Sequence, residues 1–382
     1  LNKPQPLYQS IADYIADGIF TKRFNSARRL PSEMELARKF KTSRPTVVRA
    51  MIELQSRGLI ERRAGSGTYV APQTSGSRFP GQTLGLIATG LGGTEILDPI
   101  SSEITRFSEE KGYTLFRGET TGADMDAPGF TLQQADRLAK RYIERGVSGV
   151  FFAPLERPSD RLSINRHIAG KLSAAGIAVV LLDREIEDFP RKSQYDLVGI
   201  DDFNAGYVLA EHLVKSGRRR IGFFAFPDYP STTNLRYAGT IACFAGENLS
   251  TIGGSIMCGD PSDVGCVKDL IEGLAPDALI CSNDRTAALL MQSLSKLNIA
   301  VPDAVAVAGF DDVRYATLLS VPLTSMRQPT RDIGLGAVGL MSERLSNMAL
   351  SPRTLMFTAT LIPRQSTAKT QSVVERSGFS PK

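Results

Sequence analysis

Side chains able to do chemistry gather directly after short apolar runs: Asp183-Arg184, Asp201-Asp202, Asn283-Asp284 and Asp311-Asp312. If each run is a buried strand of a parallel sheet, these groups lie together at its carboxyl edge, where open α/β sheets bind ligands. The set suits binding better than bond-breaking. The chain has no Walker A sequence and no GxSxG elbow, and neither His167 nor His212 has an obvious catalytic partner. Gly90-Leu91-Gly92-Gly93 follows the first apolar run, but Glu95 occupies the third glycine position of a dinucleotide loop, where its charge would repel a pyrophosphate. The four cysteines, Cys243, Cys258, Cys266 and Cys281, form no CxxC pair, and the two histidines are far apart. No metal site and no cofactor follow from such spacings. The cysteines lie in apolar segments and read as buried thiols, which fits a reducing cytoplasm.

A second constellation is basic. Residues 1–71 hold 13 Lys and Arg against 6 Asp and Glu, whereas the rest of the chain holds 32 against 34. That asymmetry suggests a polyanionic partner for the first segment alone, although scattered solvated charges would look similar. Ser32-x-x-Glu35 has the spacing of a capping box and opens a helix over Glu33–Phe40. Lys41-Thr42-Ser43 makes a turn, and Ser43 caps a second helix over Arg44–Arg57 that Gly58 stops. Pro45 falls in the first turn, where a missing N–H is harmless. Val47, Met51 and Leu54 share an inward face. Ser43, Arg44, Thr46 and Arg49 then stand near the end that a recognition helix presents to bases and phosphates. Residues 59–70 alternate as a hairpin around Arg63-Ala64-Gly65-Ser66-Gly67. Arg62 and Arg63 put two cations at that wing, suited to a phosphate or to an ordinary solvated surface.

These constellations need scaffolds. A chain of 382 residues, 42% hydrophobic and 22% charged, is ordinary for a globular protein of two or three domains. The first 70 residues read as mostly helical. Residues 71–82, rich in Pro, Gly, Ser and Gln, read as a linker. From 83 to 366, strands at 84–89, 113–118, 149–154, 177–183, 197–201, 220–226, 278–283, 305–310 and 354–362 alternate with helical patterns. That alternation implies parallel sheets covered on both faces. Residues 367–382 read as a frayed tail. No apolar stretch approaches a membrane span, and the first residues lack a signal-peptide core, so a cytoplasmic protein is expected.

Residues 7–70, through LPSEMELARKFKTSRPTVVRAMIELQSRGLIERRAGSGTYV, resemble the GntR-type winged helix-turn-helix domain. Val48 departs from the family's usual Arg, with Arg49 beside it. The resemblance implies DNA contacts from Ser43, Arg44, Thr46 and Arg49 and from the wing at Arg63, Gly65 and Gly67. Residues 84–365 resemble the LacI/GalR-type effector domain, itself similar to periplasmic sugar-binding proteins. The segments that carry this include IAVVLLDRE, LVGIDDFNAGYVLAEHLVKSGRRRIGFF, ALICSNDRTAALLM and VPDAVAVAGFDD. The combination looks like the arabinose-repressor group of chimeric regulators.

The implied fold class is α/β: a two-lobed periplasmic-binding-protein-like domain of Rossmann-like parallel sheets behind an N-terminal winged helix-turn-helix domain. Lobe crossovers are expected near Arg184–Leu197, Phe310–Asp312 and Leu323–Gln328. The implied effector contacts are Glu156, Asp183, Arg184, Arg236, Asn283, Asp311 and Gln328. Carboxylates, amides and guanidiniums of this kind satisfy several sugar hydroxyls at once. Asn283 and Asp311 could instead cap the helices that follow them. Ile96 and Leu97 stand where such binders often place ring-stacking aromatics. The implied partners are double-stranded operator DNA, a small polar effector such as a sugar, and a second copy in a homodimer. The competing expectation is a sugar receptor whose basic module binds a protein. DNA binding alone should weaken steeply with salt.

Overall fold

The computed structural model describes residues 8, 11, 12, 14, 15, 30–40, 42–56, 60–63, 67–70, 82–88, 95–117, 130–156, 160–227 and 229–368. The division into two compact units falls between Gly81 and Gln82. Most of the expected linker (71–81) and tail (369–382) lie outside the described residues.

In the first unit, helix α1 (Glu33–Lys39) starts at the expected capping box: the Ser32 N–H donates to Glu35 Oε2 at 2.7 Å and the Glu35 N–H to Ser32 Oγ at 3.3 Å. Helix α2 runs Arg44–Ser56. Val47, Met51 and Leu54 are wholly buried against Ile11, Ile15, Leu36 and Ile60. Full burial of each such side chain contributes about 1.5–3 kcal/mol, so this small core holds the helices in place. Strands β1 (Ile60–Arg63) and β2 (Gly67–Val70) pair antiparallel, with Arg63 opposite Gly67. Gly65 lies outside the described residues.

The second unit has two six-stranded sheets. Lobe 1 is ordered β13-β7-β6-β5-β3-β4 and is wholly parallel, from β3 (Thr83–Ile87), β4 (Thr114–Arg117), β5 (Gly149–Phe152), β6 (Ala178–Leu182), β7 (Asp196–Ile200) and β13 (Thr354–Phe357). Lobe 2 is ordered β14-β12-β11-β10-β8-β9, from β8 (Ile221–Ala225), β9 (Met257–Cys258), β10 (Ala278–Cys281), β11 (Ala306–Asp311), β12 (Thr324–Arg327) and β14 (Thr360–Ile362). There only β14 runs antiparallel to its neighbour. Every residue of β5, β6, β7, β8, β10 and β11 is buried, which is why those segments read as unbroken apolar runs.

Five expectations need correction. The run 354–362 is two strands in different sheets, because the chain leaves lobe 1 at Phe357 and enters lobe 2 at Thr360. Strand β12 was not expected. Three of the four residues of its TSMR sequence are polar, and its hydroxyls are buried with partners: Thr324 bonded to Thr367 at 2.7 Å and Ser325 to Asp284 Oδ1 at 2.7 Å. The crossovers also differ. Arg184–Leu197 joins two strands of lobe 1, and Phe310–Asp312 lies within lobe 2. The chain crosses at Asp201, at Gln328–Pro329, which agrees with the expectation near Leu323–Gln328, and at Thr358–Ala359, three adjacent passages forming a hinge. The Asp201 N–H donates to the Phe357 carbonyl at 2.9 Å, tying two of them together. Thr367, expected at the start of a frayed tail, is buried and bonded to His212 Nε2 at 2.8 Å. Cys243 and Cys281 are buried as expected, but Cys266 is half-buried and Cys258 is exposed on a two-residue edge strand.

Candidate effector cleft and DNA-facing helix

Both sheets end at one cleft. From lobe 1 come Ile96, ahead of helix α3 (Leu97–Glu110), Glu156 after β5, and Asp183 with Arg184 after β6. From lobe 2 come Ser282 and Asn283 after β10, Asp311 closing β11, and Arg236 from α7 (Ser231–Gly246) with Thr232 and Thr233. Asp183 has φ 69° and Asp311 has φ 104°. Non-glycine residues are strained there, and such strain concentrates where a side chain must be aimed. The cleft side chains leave only about 20 Å³ of free room between them. A monosaccharide therefore enters only when the lobes part or the cleft side chains swing aside.

The floor is closed by the site's own ions. Arg184 bonds Asp183 Oδ2 through Nε at 2.9 Å and Nη2 at 2.6 Å, and bonds Glu156 through Nη1. Arg236 donates to Asp202 Oδ1 at 2.7 Å and to the Ser282 carbonyl at 2.7 Å, and its Nη2 lies 3.7 Å from Asp311 Oδ1. Gln328 donates to Asp311 Oδ1 at 2.8 Å. Burying charge is tolerable when it is paired this way. Two buried acceptors, Asp183 Oδ1 and Gln328 Oε1, have no hydrogen-bond partner. Unmet buried acceptors are destabilising on their own, and a donor-bearing guest would satisfy them.

Burial raises the Asp202 carboxyl to about 7 against the opposing pull of Arg236, with Asp183 and Asp311 nearby adding to the rise. Burial likewise raises Asp311, again opposed by Arg236. Burial raises the carboxyl of Glu95, the residue that spoiled the dinucleotide loop, and a hydrogen bond from Tyr315 works against the rise.

The structure brings together Glu156, Asp183, Arg184, Arg236, Asn283, Asp311 and Gln328, each at or beside the carboxyl edge of its sheet. Asn283 also caps α9 (Asp284–Lys296), accepting from the Thr286 N–H at 2.9 Å, whereas Asp311 caps nothing and turns to Arg236 and Gln328. Ile96 lines the cleft and Leu97 is buried, so the positions expected for stacking aromatics are filled by aliphatic side chains. Sequence reasoning missed Asp202. It noted Asp201-Asp202 as a polar pair after a strand, but nothing in the sequence separates their roles. Asp201 caps α6 (Asp202–Lys215), accepting from the Asn204 N–H, while buried Asp202 faces Arg236. Close backbone contact sets this up. A Cβ on Gly206 would stand 1.9 Å from the Arg236 carbonyl oxygen, and one on Gly239 would stand 1.9 Å from that of Phe203. Only glycine permits α6 and α7 to approach so closely.

In the first unit, Ser43, Arg44 and Arg49 are exposed and Thr46 is half-buried, all at the start of α2. The Ser43 and Thr46 hydroxyls are 2.9 Å apart. Arg44, with its side chain 70% exposed, meets Glu33 at 2.9 Å, and the Arg49 guanidinium lies 4.2 Å over the Tyr8 ring.

An exposed helix-turn-helix and a hinged two-lobed cleft define the class as DNA-binding regulators with a separate ligand-binding domain. Comparison with known proteins identifies the parts. Residues 7–70 match the family of bacterial regulatory proteins called gntR, and residues 210–367 match a periplasmic binding protein-like domain. The chain is 26% identical over 381 residues to the arabinose metabolism transcriptional repressor of Geobacillus stearothermophilus, spanning 96% of this chain and 98% of that protein. It is 25% identical over 294 residues to the ribose operon repressor of Escherichia coli strain K12, spanning 74% and 82%. The structure of a transcriptional regulator CelR–cellobiose complex is similar with a TM-score of 0.63 at 22% identity, spanning 85% of this chain and 90% of that one. The chain thus carries a gntR-family head at residues 7–70 and a periplasmic-binding-protein-like domain over residues 210–367, and along nearly its whole length it is similar to a transcriptional repressor.

Proposed function

We propose that the chain is a sugar-responsive repressor: a homodimer that holds operator DNA until a small polar effector enters the cleft. The observation that carries this reading is the convergence of buried charges from both lobes, with two unmet acceptors, beside a three-stranded hinge. Glu156, Asp183, Arg184, Arg236, Asn283, Asp311 and Gln328 are assigned to the effector. Ser43, Arg44, Thr46, Arg49, Arg63, Gly65 and Gly67 are assigned to DNA. The relatives' printed names, arabinose and ribose operon repressors, support both the sign of the response and the class of effector. Binding rather than catalysis is the work assigned to the cleft, and a cytoplasmic location follows from the DNA partner. Among the described residues no helix is long and apolar enough to cross a membrane.

Effector binding shifts the population between lobe arrangements, and DNA affinity changes in reciprocal measure. In a dimer, a change in lobe arrangement alters the spacing of two recognition helices and so their fit to two half-sites. Operator titration of the full chain with and without L-arabinose, D-ribose, D-galactose and cellobiose tests this. One of these sugars should weaken operator binding by about 5–150-fold, the usual range of allosteric coupling. Unchanged affinity with every sugar overturns the inducer mechanism.

A further inference from the structure

Counting charges in the cleft narrows the guest. Among the described residues, four carboxylates, Glu156, Asp183, Asp202 and Asp311, face two guanidiniums, Arg184 and Arg236, and all six are buried. Neither guanidinium faces the cleft with a spare charge. Arg184 is held by two carboxylates. Arg236 is held by Asp202 and a backbone carbonyl, with Asp311 beside it. The unmet groups are both acceptors, Asp183 Oδ1 and Gln328 Oε1. A guest must therefore bring donors, and any negative charge it carries meets an acidic surplus at low dielectric.

Resting on the sugar-effector reading above, we infer that the cleft selects uncharged, hydroxyl-rich sugars and rejects their anionic relatives, and that Asp202 sets this selectivity by occupying Arg236. Asp202 is a positioning residue. It does not line the cleft, and it acts through the cation that does. An Arg236 relieved of Asp202 would present a bidentate donor pair to a carboxylate or phosphate guest, the geometry in which arginine binds such groups best. Burial pushes the Asp202 carboxyl up, which agrees with a crowded acidic site.

The experiment uses the full chain near neutral pH, with calorimetric titration and thermal shift against matched pairs: D-galactose and D-galacturonate, D-glucose and D-glucuronate, D-ribose and D-ribose 5-phosphate, with L-arabinose added. In the wild type the neutral member of whichever pair binds should be tighter by on the order of a hundredfold, since like charge at a buried site is strongly repulsive. Asp202→Asn should narrow that ratio by about tenfold or more, a change that loss of structure alone would not produce. Wild-type binding of an acid as tight as its neutral partner overturns the charge selectivity and leaves the sugar reading standing. An unchanged neutral-to-acid ratio in Asp202→Asn overturns the role given to Asp202. Failure of every sugar and every acid to bind defeats the sugar reading itself, and this inference with it.

Discussion

Two arginines do opposite work in this protein. Arg44 projects from the start of a helix with 70% of its side chain exposed and one carboxylate, Glu33, beside it. Arg236 is buried, bonded to Asp202 and to the Ser282 carbonyl, and stacked 4.6 Å from the Phe310 ring. An exposed ion pair is worth about 0–1 kcal/mol, so Arg44 can trade Glu33 for a phosphate or a base with little loss. Removing one partner from a buried pair costs about 3–5 kcal/mol, so Arg236 cannot trade its carboxylates without consequence. The same residue type is a detachable contact in one unit and part of the frame in the other.

The sharpest way to break this comparison is to remove the buried cation. Arg236→Met keeps the apolar stem but leaves Asp202 facing Asp183 and Asp311 without it. Unfolding by denaturant should show the second unit destabilised by about 3–5 kcal/mol, along with loss of effector binding. A loss below about 1 kcal/mol would mean that the site relaxes by taking up protons, and Arg236 would then be no part of the frame.

The exposed arginine should behave the other way. Arg44→Ala should leave the melting of both units nearly unchanged, since surface substitutions stay within about 0.5 kcal/mol. It should weaken operator binding by about 1–3 kcal/mol if Arg44 reads a base. Measured side by side on operator and on random DNA, an equal loss would demote Arg44 to a phosphate contact.

This contrast was only partly legible in the sequence. The fully buried strands showed plainly, because burial on two faces leaves runs such as Ala178–Leu182 without polar interruption. The helix Arg44–Ser56 showed because its inward Val47, Met51 and Leu54 and its outward arginines obey local rules. What stayed hidden depends on distant parts of the chain. Which sheet receives residues 354–357 and which receives 360–362 is decided by neighbours far away in sequence, Leu197–Ile200 for one and Ser325–Arg327 for the other. Two of the three expected crossovers were misplaced for that reason. Asp202 was hidden because its inward turn depends on Gly206 and Gly239 letting two helices touch, and no local pattern reports that contact. Arg236 and Asp311 were both expected to contact the effector. They lie side by side, and the stronger bond to Arg236 comes from the residue that was missed.

The smallest effect separating the two regions is pH dependence, and its sign is fixed by the cleft. Asp202 is raised by burial to about 7 from an ordinary value near 3.8. A carboxyl whose folded value lies above its unfolded one holds more protons in the folded state between those limits. Its contribution to stability is therefore full below the unfolded value and is lost as pH rises through about 7. Asp311 and Asp284, also raised by burial, act with the same sign. The charged groups around Asp202 are Arg236, which lowers it, and Asp183 and Asp311, which raise it. The second unit should thus melt at a lower temperature at pH 8 than at pH 6, and Asp202→Asn should flatten that slope. A slope in the second unit that rises with pH, or one that Asp202→Asn leaves intact, would place the buried charge balance elsewhere and remove the electrostatic basis for treating the cleft and the head as opposites.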